Sequence, residues 1–539
     1  MTIRKRIVLF SLGLFLAALP LAAQTGQITL LHVSDSHSHL DAWGPKDGNL
    51  DATLGGIAKA AFLVAAERTA DPNALFVHAG DFMDGDVFFN DYLGAPELQL
   101  LKSMGLDALV LGNHEFRLGS DFLVGVLQSA WPDGGVPILG ANINPMGHAL
   151  GSWITANLIK HVNGVKVGLF GVTIHKNPLL NPAPVVINKI TVPLVQLAVN
   201  ALRGSGAQVV ICVSHAGLAT MRPIAAGVAG LDVIVNGHDN AVLEQPEAIV
   251  RPDGGTDFIV SAGALYRWVG RLRLAVEGGT VSFVDYELLD ADALTSPLAS
   301  VQATVDALKA EIVTRYGDIY HQQLALAETD ITMDWNAHNA KRDTALGNLM
   351  ADAYRAWTGT DIAIEPFAYL GDALPAGPIV GADVFRAMSY GSPSPWKLVT
   401  FNTTGAALRH ALDTTLTLGG DFFPQVSGLR FDYDSTATEL YGDVFGSKRL
   451  ILVDTMHVGG QKLLDDQIYS VTATDGVYQA LRYMLMMPMT DIQKWPDRVF
   501  EATRLYVAQA GELGLATSNR IRDVAAIPRA LKAVIHALR

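Results

Sequence analysis

Through the first 290 residues, short apolar runs alternate with stretches of helical spacing. Runs at 28–33, 74–77, 108–111, 209–213 and 233–235 are rich in Val, Ile and Leu and are bounded by Gly or polar residues. Runs of that length and composition predict buried strands. Residues 56–68 and 95–104 between them carry helical periodicity. Strands alternating with helices predict parallel crossovers, with two sheet layers packed between helices in a four-layer α-β-β-α domain. From 290 to 330 the character changes. Val301, Val305, Leu308 and Ile312 are spaced as one helix face, which predicts a helix connecting to a second, smaller α/β domain from Ile331. In that domain Leu429, Phe431 and Tyr433 fall on one face of a strand and Arg430, Asp432 and Asp434 on the other. Residues 525–539 read as a short amphipathic helix.

Each of the five runs is closely followed by a polar string: Asp35-Ser36-His37, Gly80-Asp81, Gly112-Asn113-His114-Glu115, Ser214-His215 and Gly237-His238-Asp239-Asn240. In open α/β sheets ligands bind outside the carboxyl ends of the strands, so the strings are expected to converge on one crevice. Asp, neutral His and an amide oxygen suit Mn, Fe, Zn or Mg. A lone Asp at a strand end is ordinarily a cap and a lone Asn a turn residue. Capping does not call for this many histidines at matched strand ends, so the set reads as a two-metal hydrolase site.

A chain of 539 residues exceeds one core and points to two domains. Arg4, Lys5 and Arg6 precede an apolar run at 7–18 and the small residues Ala22-Ala23, the pattern of a secretory signal over 1–23. Its cleavage would leave no stable membrane anchor. Loss of those three bases would take the formal charge from −14 to −17. So acidic a surface disfavours a nucleic acid polymer as partner and makes the charge of bound cations more important for attracting an anionic substrate. The single cysteine, Cys212, cannot form an intrachain disulfide. Strand alternation points it away from His215, as a packing residue.

The ordered strings resemble the metallophosphoesterase family, and their order with the long C-terminal extension resembles its 5'-nucleotidase branch. The similarity runs from about 28 to 288 and includes Ser261-Ala262-Gly263 and Val269-Gly270-Arg271. It continues, more weakly, in 346–353, preceded by Arg342, in 361–364 and 374–379, and in Gln425-Val426-Ser427-Gly428-Leu429-Arg430. The resemblance implies a metallophosphoesterase domain at 24–289, a linker helix within 290–330 and a substrate domain at 331–539. It further implies that Asp35, His37 and Asp81 hold one of two divalent metal ions and that Asp81 bridges to the second. Asn113, His215 and His238 would complete that second site. His114 would stand over the phosphate as acid or transition-state stabiliser, and Glu115 would orient a ligand or the loop. The implied activity is hydrolysis of a small phosphate monoester, with two ions activating water and clamping the oxygens of an in-line displacement.

The sequence departs from the family pattern at three places. Asn240 stands where the family has His or Gln, so either Asn240 or Asp239 completes the first metal site. Arg117 stands where an Asp normally orients the catalytic imidazole. A cation there is expected to lower the imidazole pKa, leaving His114 a neutral donor, and Arg117 itself is a candidate for contacting the transferred group. In the second domain, the expected anion-binding Arg is Gly371, and 475–479 read Asp-Gly-Val-Tyr-Gln in place of the usual Gly-Gly-Asp-Gly-Tyr. Phe422, Phe423 and Arg342 remain as candidates for substrate contact, and a purine sandwich is not expected. A thiol-sulfate hydrolase of the sulfur-oxidation branch and a non-catalytic metal-binding scaffold are the alternative readings.

Overall fold

The computed structural model describes residues 25–177, 180–278, 280–333, 342–388, 397–514 and 519–525. The signal reading, and all but the first residue of the helix expected over 525–539, lie outside them. Two sheets face each other in the first domain. One has seven strands, in which Thr25–Val33 pairs in parallel with Leu75–His78 and antiparallel with Trp268–Glu277. The other has six, with Val165–Thr173, Val209–His215 and Val233–Gly237 in parallel at its centre.

Strand alternation sorts the side chains into layers. Ile28, Leu30, Val77 and Val110 meet Val209, Ile211, Val213 and Val235 in a core between the sheets. Their neighbours Leu31, Val33 and Phe76 point the other way, into a core shared with Ile57, Val64, Leu98 and Leu101 of the outer helices Ile57–Ala70 and Ala95–Ser103. On the far side, Val210, Cys212 and Ile234 pack with Val195, Val199 and Met221 of Val192–Gly204 and Leu218–Gly227. Helices therefore cover both outer faces, the four-layer arrangement expected from the pattern. Cys212 faces the helices, and burial raises its thiol pKa.

The helix Ala299–Tyr316 buries Val301, Val305 and Ile312 and packs on Ile57–Ala70 and Val87–Tyr92. It belongs to the first domain's outer layer as much as to a connection. Beyond it, a five-stranded sheet runs in the order Pro424–Ser427, Ile362–Pro366, Ile468–Thr474, Lys397–Thr404, Thr490–Arg498. The helix Ala345–Thr358 lies against it, with the Thr344 hydroxyl accepting from Gly347 N at its start and left-handed Gly359 at its end. Among the described residues three ion pairs join the domains: Arg386 with Asp86 at 2.6 Å, Lys46 with Asp383 at 2.7 Å, and His39 with Asp372 at 2.6 Å. Among the described residues no helix is long and apolar enough to cross a membrane.

Candidate metal centre

All five strings meet at the carboxyl ends of the parallel strands. Asp35 and His37 leave Thr25–Val33, Asp81 follows Leu75–His78, and Asn113 and His114 open the short helix Asn113–Phe116. His215 ends Val209–His215, and His238 and Asn240 follow Val233–Gly237. Ligand atoms of His37, Asp81 and His114 lie within 4.8 Å of one another, and so do those of Asp81, His215 and His238. Asp81 is common to both groups, as a bridging carboxylate would be.

Close approach of the strand ends requires glycine at two points. A Cβ on Gly112 would lie 2.0 Å from Asp81 Oδ1, and one on Gly80 would lie 2.7 Å from His215 Nδ1. The loops are also wound into the left-handed region, with φ of 49° at Asp35, 47° at His37, 56° at Asp81, 91° at His238 and 52° at Asn240. Residues with a Cβ adopt it at a cost, and such positions concentrate at functional sites. Glu115 holds the loop: its carboxylate accepts from the backbone N–H of Asp81, Phe82, Met83 and Gly112. Those bonds commit it to the backbone.

The imidazoles are set for ligation by their other nitrogens. His215 Nδ1 lies 2.7 Å from Ala79 O and His37 Nδ1 3.2 Å from Met83 O. A carbonyl can only accept, so in the neutral ring Nε2 carries the lone pair in both. Burial lowers His37 to about 3 and His238 to about 4. His215 goes the other way: burial opposes protonation, but Asp81, Asp35 and Glu115 raise it to about 10. Such a cluster favours positive charge at its centre. Asn113 Oδ1 is buried without a hydrogen-bond partner, and His215 Nε2 makes none either although Asp81 Oδ2 lies 3.0 Å away. Buried polar atoms are ordinarily satisfied, so these orphaned donors to a cation fit a metal centre. The nitrogen and oxygen set suits Mn, Fe, Zn or Mg.

Asp35 turns both oxygens toward His238 N, at 3.0 and 3.1 Å, and burial raises its pKa to about 7. Asp239 Oδ2 accepts from Leu218 N and Oδ1 from Asn236 Nδ2, so both its oxygens are engaged in the protein. Asn240 faces the cavity.

His114 and Arg117 depart from what the sequence suggests. Asp84 Oδ2 lies 2.7 Å from His114 Nδ1, and Arg117 Nη2 donates to Asp84 Oδ1 at 2.7 Å. The orienting acid is therefore present, supplied by the loop after Asp81. Burial opposes protonation of His114, but Asp81 and Asp84 together raise its pKa, with Arg117 pulling against them. That direction is opposite to the lowering expected from Arg117 alone. Arg117 is bonded to Asp84 and is not among the described residues that line the cavity. Sequence reasoning missed Asp84; its signal was an acid three residues after Asp81 in a Gly-rich loop.

The cavity over the centre has a volume of about 320 Å³. His37, Asp81, Asn113, His114, His238 and Asn240 form one wall, and Phe367, Leu370, Gly371, Asp372 and Asp421 of the second domain form the other. The stretch that replaces the family's anion-binding motif therefore does face the site, without its Arg. Phe422, Phe423 and Arg342 are not in the lining. Phe423 is 2% exposed, packed near Tyr433, so a base-stacking role for it is corrected to a core role in this arrangement. Phe422 and Arg342 are exposed outside the cavity.

Comparison with known proteins agrees with this geometry. The calcineurin-like phosphoesterase model matches residues 28–241, and the 5'-nucleotidase C-terminal domain model matches residues 325–482. A 5'-nucleotidase of Diplobatis ommata is 26% identical over 488 residues, covering 83% of this chain and 81% of that protein. A 5'-nucleotidase of Homo sapiens is 29% identical over 357 residues, covering 62% of this chain and 60% of the relative. The crystal structure of a 5'-nucleotidase precursor from Thermus thermophilus superposes with a TM-score of 0.75 at 23% identity, over 92% of this chain and 99% of that one. The sulfate thiohydrolase SoxB from the same organism superposes at 0.70 with 18% identity, over 93% and 97%. At those identities the structural likeness is one of fold.

Proposed function

The chain belongs to the calcineurin-like phosphoesterases that carry a 5'-nucleotidase C-terminal domain, and on that premise we propose that it is an exported, dinuclear-metal hydrolase of small phosphate monoesters. The observation that carries this reading is Asp81 standing between two groups of donors on the floor of a cavity walled by both domains. Asp35, His37, Asp81, Asn113, His215 and His238 would hold the ions, with Asn240 beside them. Two divalent ions there would supply positive charge against the phosphoryl oxygens and lower the pKa of an attacking water.

The protein's own groups do the rest. His114 donates through Nδ1 to Asp84, which fixes the ring and leaves Nε2, 4.0 Å from Asp81 Oδ2, toward the centre. From there Nε2–H can donate to a phosphoryl oxygen or pass its proton to the leaving-group oxygen, while the Asp84 charge stabilises the imidazolium. Arg117 holds Asp84 in place. The second-domain wall limits the size of the leaving group and keeps bulk water off the reacting atoms.

The small cavity supports a small phosphorylated substrate over a carrier peptide, and the described residues of its lining, with Phe367 but no second aromatic among them, support a substrate other than a purine nucleotide held by stacking. The test is phosphate release by the purified, Mn-loaded protein from AMP, sugar phosphates and an aryl phosphate. Turnover of the aryl phosphate with less than about a hundredfold preference for AMP, a difference of about 2.7 kcal/mol, is expected. No turnover on any ester would sink the reading. Export rests on the 1–23 signal pattern and is tested by the mass of the protein recovered outside the cytoplasm, which should lack those residues.

A further inference from the structure

A second cavity, of about 420 Å³, opens in the C-terminal domain and shares no lining residue with the metal centre. Its walls carry Arg355, Arg430, Arg520 and His457 against a single carboxylate, Asp352. Three guanidinium groups in one depression are unusual in a chain of formal charge −14.

These groups are organised by the fold. Arg520 forms a two-pronged pair with Asp352, Nη1 to Oδ1 at 2.8 Å and Nη2 to Oδ2 at 2.6 Å. Ser427 Oγ donates to Asp352 Oδ1 at 2.6 Å and in turn accepts from Arg355 Nε at 2.9 Å. Arg355 is thereby anchored through Nε, and its two terminal amino groups make no hydrogen bond or ion pair among the described residues. Arg430 stands on the exposed face of the strand Leu429–Tyr433 and likewise has no acceptor among them. The rim beyond is a two-glycine turn, where an added Cβ on Gly459 or Gly460 would meet nothing within 4 Å, so the mouth is open. Asp352 neutralises Arg520 and leaves the charge of Arg355 and Arg430 without a counterion among the described residues.

We infer that this depression is a second binding site, for a tetrahedral oxyanion: a phosphate or sulfate group, free or at the end of a small molecule. The planar forks of Arg355 and Arg430 supply paired N–H donors that match such an anion, and one of them is already held in place. The site stands whether or not the metal centre hydrolyses phosphate monoesters.

The experiment is equilibrium dialysis of labelled inorganic phosphate against the metal-loaded full-length protein, compared with R355S/R430S. Neither side chain is buried and neither touches the metal centre, so the double variant should keep its melting temperature and its rate of hydrolysis. The parent is expected to bind one phosphate more per chain than the double variant. R430K, which keeps the charge but not the fork, should weaken the extra site by about tenfold or more, since Lys offers only a point charge. Methylphosphonate as competitor separates the sources: equal competition points to a group carried on a larger molecule, and failure to compete to the free anion. Equal phosphate stoichiometry in parent and R355S/R430S would overturn the proposal. Should that variant not fold, R430Q alone gives the same comparison, and unchanged stoichiometry and affinity there overturn it too.

Discussion

Asp84 Oδ2 lies 2.7 Å from His114 Nδ1, across thirty positions of the chain, and Asp84 Oδ1 takes Arg117 Nη2 at the same distance. One carboxylate thus serves the imidazole with one oxygen and a guanidinium with the other. On the proposed reading Arg117 is a positioning residue, acting through Asp84.

The first prediction ranks two variants. Asp84→Ala should lower kcat by about 10- to 100-fold, the usual cost of losing a group that orients a catalytic ligand, with little change in KM. Arg117→Ala should cost less, because the bond from Asp84 to His114 survives it. Steady-state kinetics decide: a loss with Arg117→Ala equal to or above that with Asp84→Ala would show that Arg117 touches the substrate.

Asp81→Asn should remove nearly all hydrolysis and lower the metal content, since a neutral amide is a poor bridge between two cations. Elemental analysis of the purified variant beside its activity checks both. Cys212→Ala, in the helix-facing core, is the control and should retain metal and turnover. Two metals and most of the activity remaining in Asp81→Asn would remove Asp81 from the centre.

Arg386 and Asp86 form a buried pair between the domains, 3% and 0% exposed at their side chains. Arg386→Met should destabilise the protein by about 3–5 kcal/mol, because it strands a carboxylate away from water. Asp86→Leu combined with Arg386→Met should recover most of that loss, since removing both charges removes the unpaired one. Chemical denaturation of the two variants beside the parent measures it; equal loss in both would mean the pair acts through packing alone.

Asp257 predicts a pH dependence of stability. It is fully buried, neither carboxylate oxygen has a hydrogen-bond partner, and burial raises its pKa to about 8. Nearby Arg203 and Arg251 are paired with Asp232 instead. A raised acid binds its proton more tightly in the folded state, so its contribution is fully present below the unfolded pKa near 4 and is lost as pH rises toward 8. Asp257→Asn should therefore stabilise the protein at pH 8, by up to a few kcal/mol at about 1.4 kcal/mol for each tenfold difference in proton affinity, and have little effect at pH 4. Denaturation midpoints at the two pH values test the sign; a variant less stable than the parent at pH 8 would contradict it.

Local pattern was enough to read the layered first domain and the strand ends that carry the candidate centre. Strand alternation divides Ile28 and Leu30 from Leu31 and Val33, and Val209 and Ile211 from Val210 and Cys212, and those divisions are the layers. The helix Ala299–Tyr316 was legible for the same reason, since its buried face repeats at helical spacing. Periodicity is a property of a few successive residues, so it survives in the linear chain. The partner of His114 does not: Asp84 reaches it only because the loop passes through left-handed turns at Asp81 and Asp84, with φ of 56° and 68°. Phe423 reads as a candidate for substrate contact until the second-domain core closes over it. Asp86 and Arg386 are 300 positions apart, and nothing in either neighbourhood specifies the other. Such pairings depend on which surfaces two separately folded layers bring together, and that is settled by the path of the chain in three dimensions.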